Sequence, residues 1–238
     1  MLTPPRAVLF DLDGTLADSD AALRAGTLGA AEAAHRLIGV ATNRWLEVST
    51  AVAAEVVAAH LDDWVTGAVD AAAISREIYA RTLDKVGGDH VHLPELVRAQ
   101  AAAGFAGQRA YPDVAPMLAA LAERRLPTAI VTNGAAQVQR ASLTAIGLDG
   151  RFDAVIISSE HGIAKPAPAI FALAIGELGV EPVEAWFIGD NPSTDIAGAL
   201  NAGIQAVWIN RDAHVLPADA PHADLEISAL TELVPLLG

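Results

Sequence analysis

Short apolar runs, each ending in turn residues, recur along the chain and predict buried strands at Ala7–Phe10, Thr128–Val131, Ala154–Ile157, Ala185–Ile188 and Gln205–Ile209. Between the later runs the apolar positions fall at helical spacing, predicting helices over Val114–Arg124, Gln137–Ile146, Ala167–Leu178 and Asp195–Ala202. Strands alternating with helices imply βαβ units, and hence an α/β fold with a parallel sheet covered on both faces. Residues 17–106 break that rhythm. They are rich in Ala and Leu and predict four helices: from Ser19 to Ile38, Arg44–Leu61, Ala71–Val86 and Leu93–Ala103. So long a span between strands cannot be bare loop. The expected organisation is therefore an α/β core of residues 1–16 plus 107–238, interrupted by a helical module of residues 17–106 that joins it near Ala17 and Gly107.

Composition narrows the classes. Of 238 residues, 53% are hydrophobic and 18% charged, which suits a packed globule. Acids outnumber bases 29 to 15, for a net charge of −14, and no basic stripe is present, so nucleic-acid binding is not expected. The longest stretch without Asp, Glu, Lys or Arg, Ile196–Asn210, is too short for a bilayer span. The first residues lack a secretory pattern, so the expected location is the cytoplasm. The absence of cysteine excludes disulfides and thiolate chemistry.

Four polar clusters follow four of the expected strands: Asp11-Leu12-Asp13-Gly14-Thr15, then Thr132-Asn133-Gly134, then Lys165-Pro166, and last Gly189-Asp190-Asn191 with Asp195 five residues beyond Asp190. In parallel sheets such positions converge on one edge. Two carboxylates as close as Asp11 and Asp13 need a cation, a shared proton or open solvent. Hard oxygen donors of this kind suit Mg²⁺ together with a substrate phosphate, whose other oxygens the lysine and the Thr132-Asn133 backbone would meet. A calcium loop starting at Asp11 would require Gly and Glu where Leu16 and Ala22 stand. Of the 15 basic residues only Lys85 and Lys165 are lysines, and one of the two occupies a cluster.

The four clusters, their order and the helical module resemble the haloacid dehalogenase superfamily, subfamily I, with a helical cap. The resemblance implies a Rossmann-like core and a Mg²⁺-dependent hydrolase acting on a small phosphorylated metabolite. It implies that Asp11 is the nucleophile forming an aspartyl-phosphate, and that Asp13 is the general acid and then the base. Thr132 and Asn133 would bind the phosphoryl group, and Lys165 would neutralise charge around it. Mg²⁺ would be held by Asp11, the Asp13 carbonyl and Asp190, with Asp195 near the metal or its waters. Dehalogenases of this group lack the second aspartate, so Asp13 favours a phosphatase.

Two departures from the family pattern stand out: Ala167 where an aspartate is common, and Asn191 where serine is frequent. The cap would set specificity, and Arg44, Trp45, His60 and Trp64 lie on it, the tryptophans being expected to pack between helices. Lys85 reads as a dipole-matching residue at a helix end, and His90-Val91-His92 as a loop. The segment Ala206–Arg211 resembles the branch holding pyrimidine 5′-nucleotidases and N-acylneuraminate-9-phosphatase, pointing to a nucleoside monophosphate or sugar phosphate, with phosphoglycolate as a further option. A phosphotransferase of the β-phosphoglucomutase type and a non-catalytic binding protein on the same fold are the alternatives.

Overall fold

The structure, a computed structural model, describes residues 2–66 and 71–238. The chain divides into two compact units, one of residues 1–18 and 110–238 and the other Ser19–Arg109.

The first unit is built on six parallel strands: β1 (Ala7–Phe10), β2 (Thr128–Thr132), β3 (Ala154–Ile157), β4 (Ala185–Gly189), β5 (Gln205–Ile209) and β6 (Leu225–Ile227), in the order β3-β2-β1-β4-β5-β6. All four residues of β1 are inaccessible to solvent, as a central strand covered on both faces requires. Its alternate residues serve opposite sides. Val8 and Phe10 pack with Met117 and Leu121 of α5 (Val114–Glu123), Leu143 of α6 (Ala136–Ala145), and Leu230 and Leu233 of the terminal 3₁₀ turn. Ala7 and Leu9 pack with Ile170, Phe171 and Ala174 of α8 (Pro168–Leu178) and Ala199 of α9 (Ala197–Asn201). A single helical turn, α7 (Ser158–His161), follows β3.

Two local features depart from the pattern read along the chain. The strand β6 was not expected: only three residues long, it has Glu226 at its centre and too few apolar positions to show alternation. The helix expected over Asp195–Ala202 is instead a widened π-type turn at Pro192–Ile196 leading into the short α9. The Asn191 side chain accepts from the backbone N–H groups of Ser193 and Thr194, starting the turn early, while Asp195 donates its own N–H to the Asn191 carbonyl. Such turns re-aim side chains, often at functional positions. Ala167 is the N-cap of α8 and makes no side-chain cap bond there.

The second unit consists of α1 (Ser19–Ile38), α2 (Thr42–Thr66), α3 (Ala71–Val86) and α4 (Leu93–Gly107). Alanines 30, 31, 33 and 34 of α1 form its core with Trp45, Tyr79, Leu83 and Leu96. Trp45 is fully buried beside Tyr79, their rings 5.9 Å apart, so it packs between helices. The side chain of Trp64 lies outside the described residues. Arg44 pairs with Glu47, His60 lies 2.9 Å from Glu77, and Lys85, in the last turn of α3, lies 3.6 Å from Glu55. His90–His92 forms a 3₁₀ turn capped by Asp89. No helix among the described residues is long and apolar enough to cross a membrane.

Candidate active site

Asp11 leaves β1 directly, its N–H donated to the Ile188 carbonyl of β4 at 2.9 Å, which fixes it beside Gly189 and Asp190. Thr132 is the last residue of β2, and Lys165 lies in the segment between α7 and α8. Because β1, β2 and β4 are adjacent and parallel, their carboxyl ends present these residues together at the edge where the chain's connections diverge.

At the centre, the Lys165 ammonium donates to Asp11 Oδ1 at 2.6 Å and lies 2.7 Å from Asp195 Oδ1. The lysine side chain is 3% exposed and the Asp195 side chain 1% exposed. Burial alone would lower the lysine pKa, but Asp11 and Asp195 together outweigh it and hold the group charged, above its ordinary value. Phe187 packs beneath it, its ring centroid 5.5 Å from Nζ. Asn133 locks the backbone of this lysine from across the sheet: its Oδ1 accepts from the Lys165 N–H at 2.8 Å and its Nδ2 donates to the Lys165 carbonyl at 3.0 Å.

Oxygens of Asp11, Asp190 and Asp195 all lie within 4.8 Å of one another. Two glycines make that crowding feasible. Gly14, at φ +76°, places its backbone where a Cβ would collide with the Asp190 carboxylate, and a Cβ on Gly189 would collide with Asp195. Burial raises the Asp11 carboxyl well above the usual range, offset in part by Lys165 and reinforced by Asp195 and Asp190. Burial, then Asp195, raises Asp190 to about 6. Among the described residues no ion pair reaches Asp190, so three carboxylates share one ammonium. The excess of negative charge and the all-oxygen donor set fit a hard divalent cation such as Mg²⁺.

Asp13 stands slightly apart from this cluster. Burial raises its pKa, against a hydrogen bond from Gln139 and the nearby Lys165 that lower it. Gln139, in α6, donates from Nε2 to Asp13 Oδ2 at 2.8 Å and to Thr132 Oγ1 at 2.7 Å. The turn carrying Asp13 is tied down by Arg211, whose guanidinium donates to the carbonyls of Thr15 (2.7 Å) and Gly14 (3.3 Å), pairs with Asp113 at 3.0 Å, and stacks over Tyr111 at 3.7 Å.

All seven residues singled out along the chain thus lie in one unit, with Asp11, Lys165, Asp190 and Asp195 clustered and Asp13 linked to Thr132 through Gln139. Gln139 and Arg211 had no assigned part in the site. Neither is marked in the sequence: Gln139 reads as a surface position in the first turns of α6 and Arg211 as one just beyond a strand.

Residues 5–203 match the family model for haloacid dehalogenase-like hydrolases. The chain belongs to that family. A phosphoserine phosphatase of Thermus thermophilus is 40% identical over 161 residues, 66% of this chain and 62% of that protein. An (S)-2-haloacid dehalogenase of Xanthobacter autotrophicus is 32% identical over 206 residues, 87% of this chain and 75% of that protein. The crystal structure of a HAD phosphatase from Thermococcus onnurineus superposes with a TM-score of 0.68 at 30% identity, over 98% of this chain and 97% of its own. The chain spans only 50–62% of the length of several curated relatives that it matches. Family members thus act on both phosphate esters and carbon–halogen bonds, and the choice here falls to the site itself.

Proposed function

We propose that this protein is a Mg²⁺-dependent phosphatase of small phosphomonoester metabolites, working through an aspartyl-phosphate on Asp11. The observation that carries the reading is Asp13, a second carboxyl with a raised pKa, held by Gln139 beside Thr132. A halide departs without a proton, so a dehalogenase has no use for an acid at this position. An alkoxide leaving group does need one.

In the first step an Asp11 oxygen attacks phosphorus, and the bond from phosphorus to the leaving oxygen breaks. That oxygen keeps the bonding pair and takes the Asp13 proton, leaving as the alcohol. In the second step Asp13, now a carboxylate, accepts a proton from water as the water oxygen attacks phosphorus. The bond to Asp11 breaks and the Asp11 carboxylate is restored. Lys165, kept charged by its two carboxylate neighbours, offsets the repulsion between Asp11 and an anionic phosphoryl group. Thr132 Oγ1 and the backbone beside Asn133 hold phosphoryl oxygens, the Asn133 side chain being spent on Lys165. Asp11, Asp190 and the Asp13 carbonyl would hold Mg²⁺, with Asp195 adjacent; when bound, the ion supplies charge compensation at the phosphoryl group.

The candidate substrates are nucleoside monophosphates and sugar phosphates, to which the Thermus relative adds phosphoserine and the sequence adds phosphoglycolate. The test is phosphate release from a panel of these compounds with Mg²⁺, with EDTA, and with the Asp11→Asn variant. Release that needs both the ion and Asp11 is expected. Halide release from 2-haloacids with no phosphate release from the panel would overturn the reading.

A further inference from the structure

We propose that Gln139 is a positioning residue for phosphoryl transfer, one amide group that both aims the Asp13 carboxyl and sets the direction of the Thr132 hydroxyl hydrogen. The inference rests on the phosphatase reading and adds to it a residue in neither the nucleophilic nor the metal-binding set.

The Gln139 side chain is buried, so both amide hydrogens must find acceptors inside the protein. They do so on two different groups of the site, Asp13 Oδ2 at 2.8 Å and Thr132 Oγ1 at 2.7 Å. When Asp13 is ionised, the opposite amide orientation would press Oε1 against its carboxylate, so charge selects the one observed in that form. A threonine hydroxyl has one hydrogen and two lone pairs. Having accepted from Gln139, Thr132 directs its own hydrogen elsewhere, toward an acceptor such as a phosphoryl oxygen.

The support behind the amide is firm. Two hydroxyls from α7 hold the approach to α6, Ser158 Oγ accepting from the Gly134 N–H and Ser159 Oγ from the Ala136 N–H, each at 2.9 Å. The Gln139 N–H itself is donated to the Ala135 carbonyl at 3.1 Å. A group that must deliver a proton to one oxygen loses efficiency when its carboxyl is free to rotate, and Gln139 removes that freedom.

The experiment compares two leaving groups in wild type and Gln139→Met, a change that nearly keeps side-chain volume and removes the donor. With Mg²⁺ present, kcat/KM is measured for p-nitrophenyl phosphate, whose phenolate leaves without protonation, and for an alkyl phosphomonoester that the wild type hydrolyses. The alkyl reaction is expected to fall by about 30-fold or more, since a general acid contributes ~10²–10⁴ in rate. The aryl reaction should fall by no more than about threefold, a loss confined to phosphate positioning.

A purely structural defect lowers the active fraction and scales both reactions alike. Equal losses, or no loss on either substrate, would overturn the proposal while leaving the phosphatase reading intact. A wild type silent on both substrates would overturn that reading together with the proposal. Should Gln139→Met not fold, Gln139→Leu also removes both amide atoms and must show the same split between leaving groups.

Discussion

Replacing Asp190 by Asn separates the cost of the carboxylate cluster from its use. Asp190 has a pKa of about 6 in the folded protein against an ordinary value of 3.8, chiefly because it is buried and next because Asp195 lies beside it. The folded state therefore binds this proton more tightly than the unfolded chain does. The sign is unfavourable: the cost of keeping Asp190 ionised is fully present above about pH 6 and vanishes as the pH falls toward 3.8. At about 1.4 kcal/mol per pKa unit the full cost approaches ~3 kcal/mol. Asp190 is only half buried, and solvent screening reduces this to about 1–2 kcal/mol.

In EDTA at pH 7.5, the Asp190→Asn variant should accordingly be more stable than wild type by about 1–2 kcal/mol, seen as a higher urea midpoint at unchanged slope. At pH 4, close to the ordinary carboxylate value, most of the advantage should be gone. Saturating Mg²⁺ should reverse the order, because a ligand at a hundred times its Kd stabilises wild type by about 2.7 kcal/mol and the variant by much less. A variant that is less stable than wild type in EDTA at pH 7.5, or whose advantage is equally large at pH 4, would refute the account of Asp190 as a carboxylate penalised by burial and by Asp195.

Two further changes probe the same cluster. Lys165→Met should destabilise the fold by about 3–5 kcal/mol, since it strands Asp11 and Asp195 in a buried space without the ammonium they share; a denaturant midpoint close to wild type would contradict this. Gly14→Ala forces a residue with a side chain into φ +76° and drives its Cβ at Asp190, so a loss of about 1–2 kcal/mol is expected, together with weaker Mg²⁺-induced stabilisation in thermal unfolding. An alanine variant with the wild-type response to Mg²⁺ would show that the turn does not set the Asp190 position.

The parts of the site that could be read along the chain share one physical property: each follows directly from a buried strand. Asp11, Thr132 and Asp190 stand at the carboxyl ends of β1, β2 and β4, where four or five consecutive buried residues announce the strand and a polar residue announces its end. Lys165 was conspicuous because a chain that otherwise uses arginine almost throughout places a lysine next to proline. Gln139 and Arg211 carry no such mark. A glutamine in the first turns of an amphipathic helix and an arginine after a strand have the look of surface residues. Only the fold brings Gln139 back to residues 126 positions earlier, and Arg211 to carbonyls nearly 200 positions earlier.

The π-type turn at Pro192–Ile196 was illegible for a related reason. Helical periodicity reports which face is apolar, and this turn is shaped instead by Asn191 capping and by the inward pull on Asp195 from Lys165 and the Asn191 N–H. Legibility thus falls from residues that act through their own chemistry to those that act by holding another group. Asp13 belongs to both kinds. In the proposed reading its presence favours phosphate ester cleavage over dehalogenation, whereas its aim depends on an amide that no pattern in the chain advertises. An acid placed beside a nucleophile without that amide would have the right composition and too much rotational freedom. The leaving-group comparison in Gln139→Met measures how much of the chemistry resides in that difference.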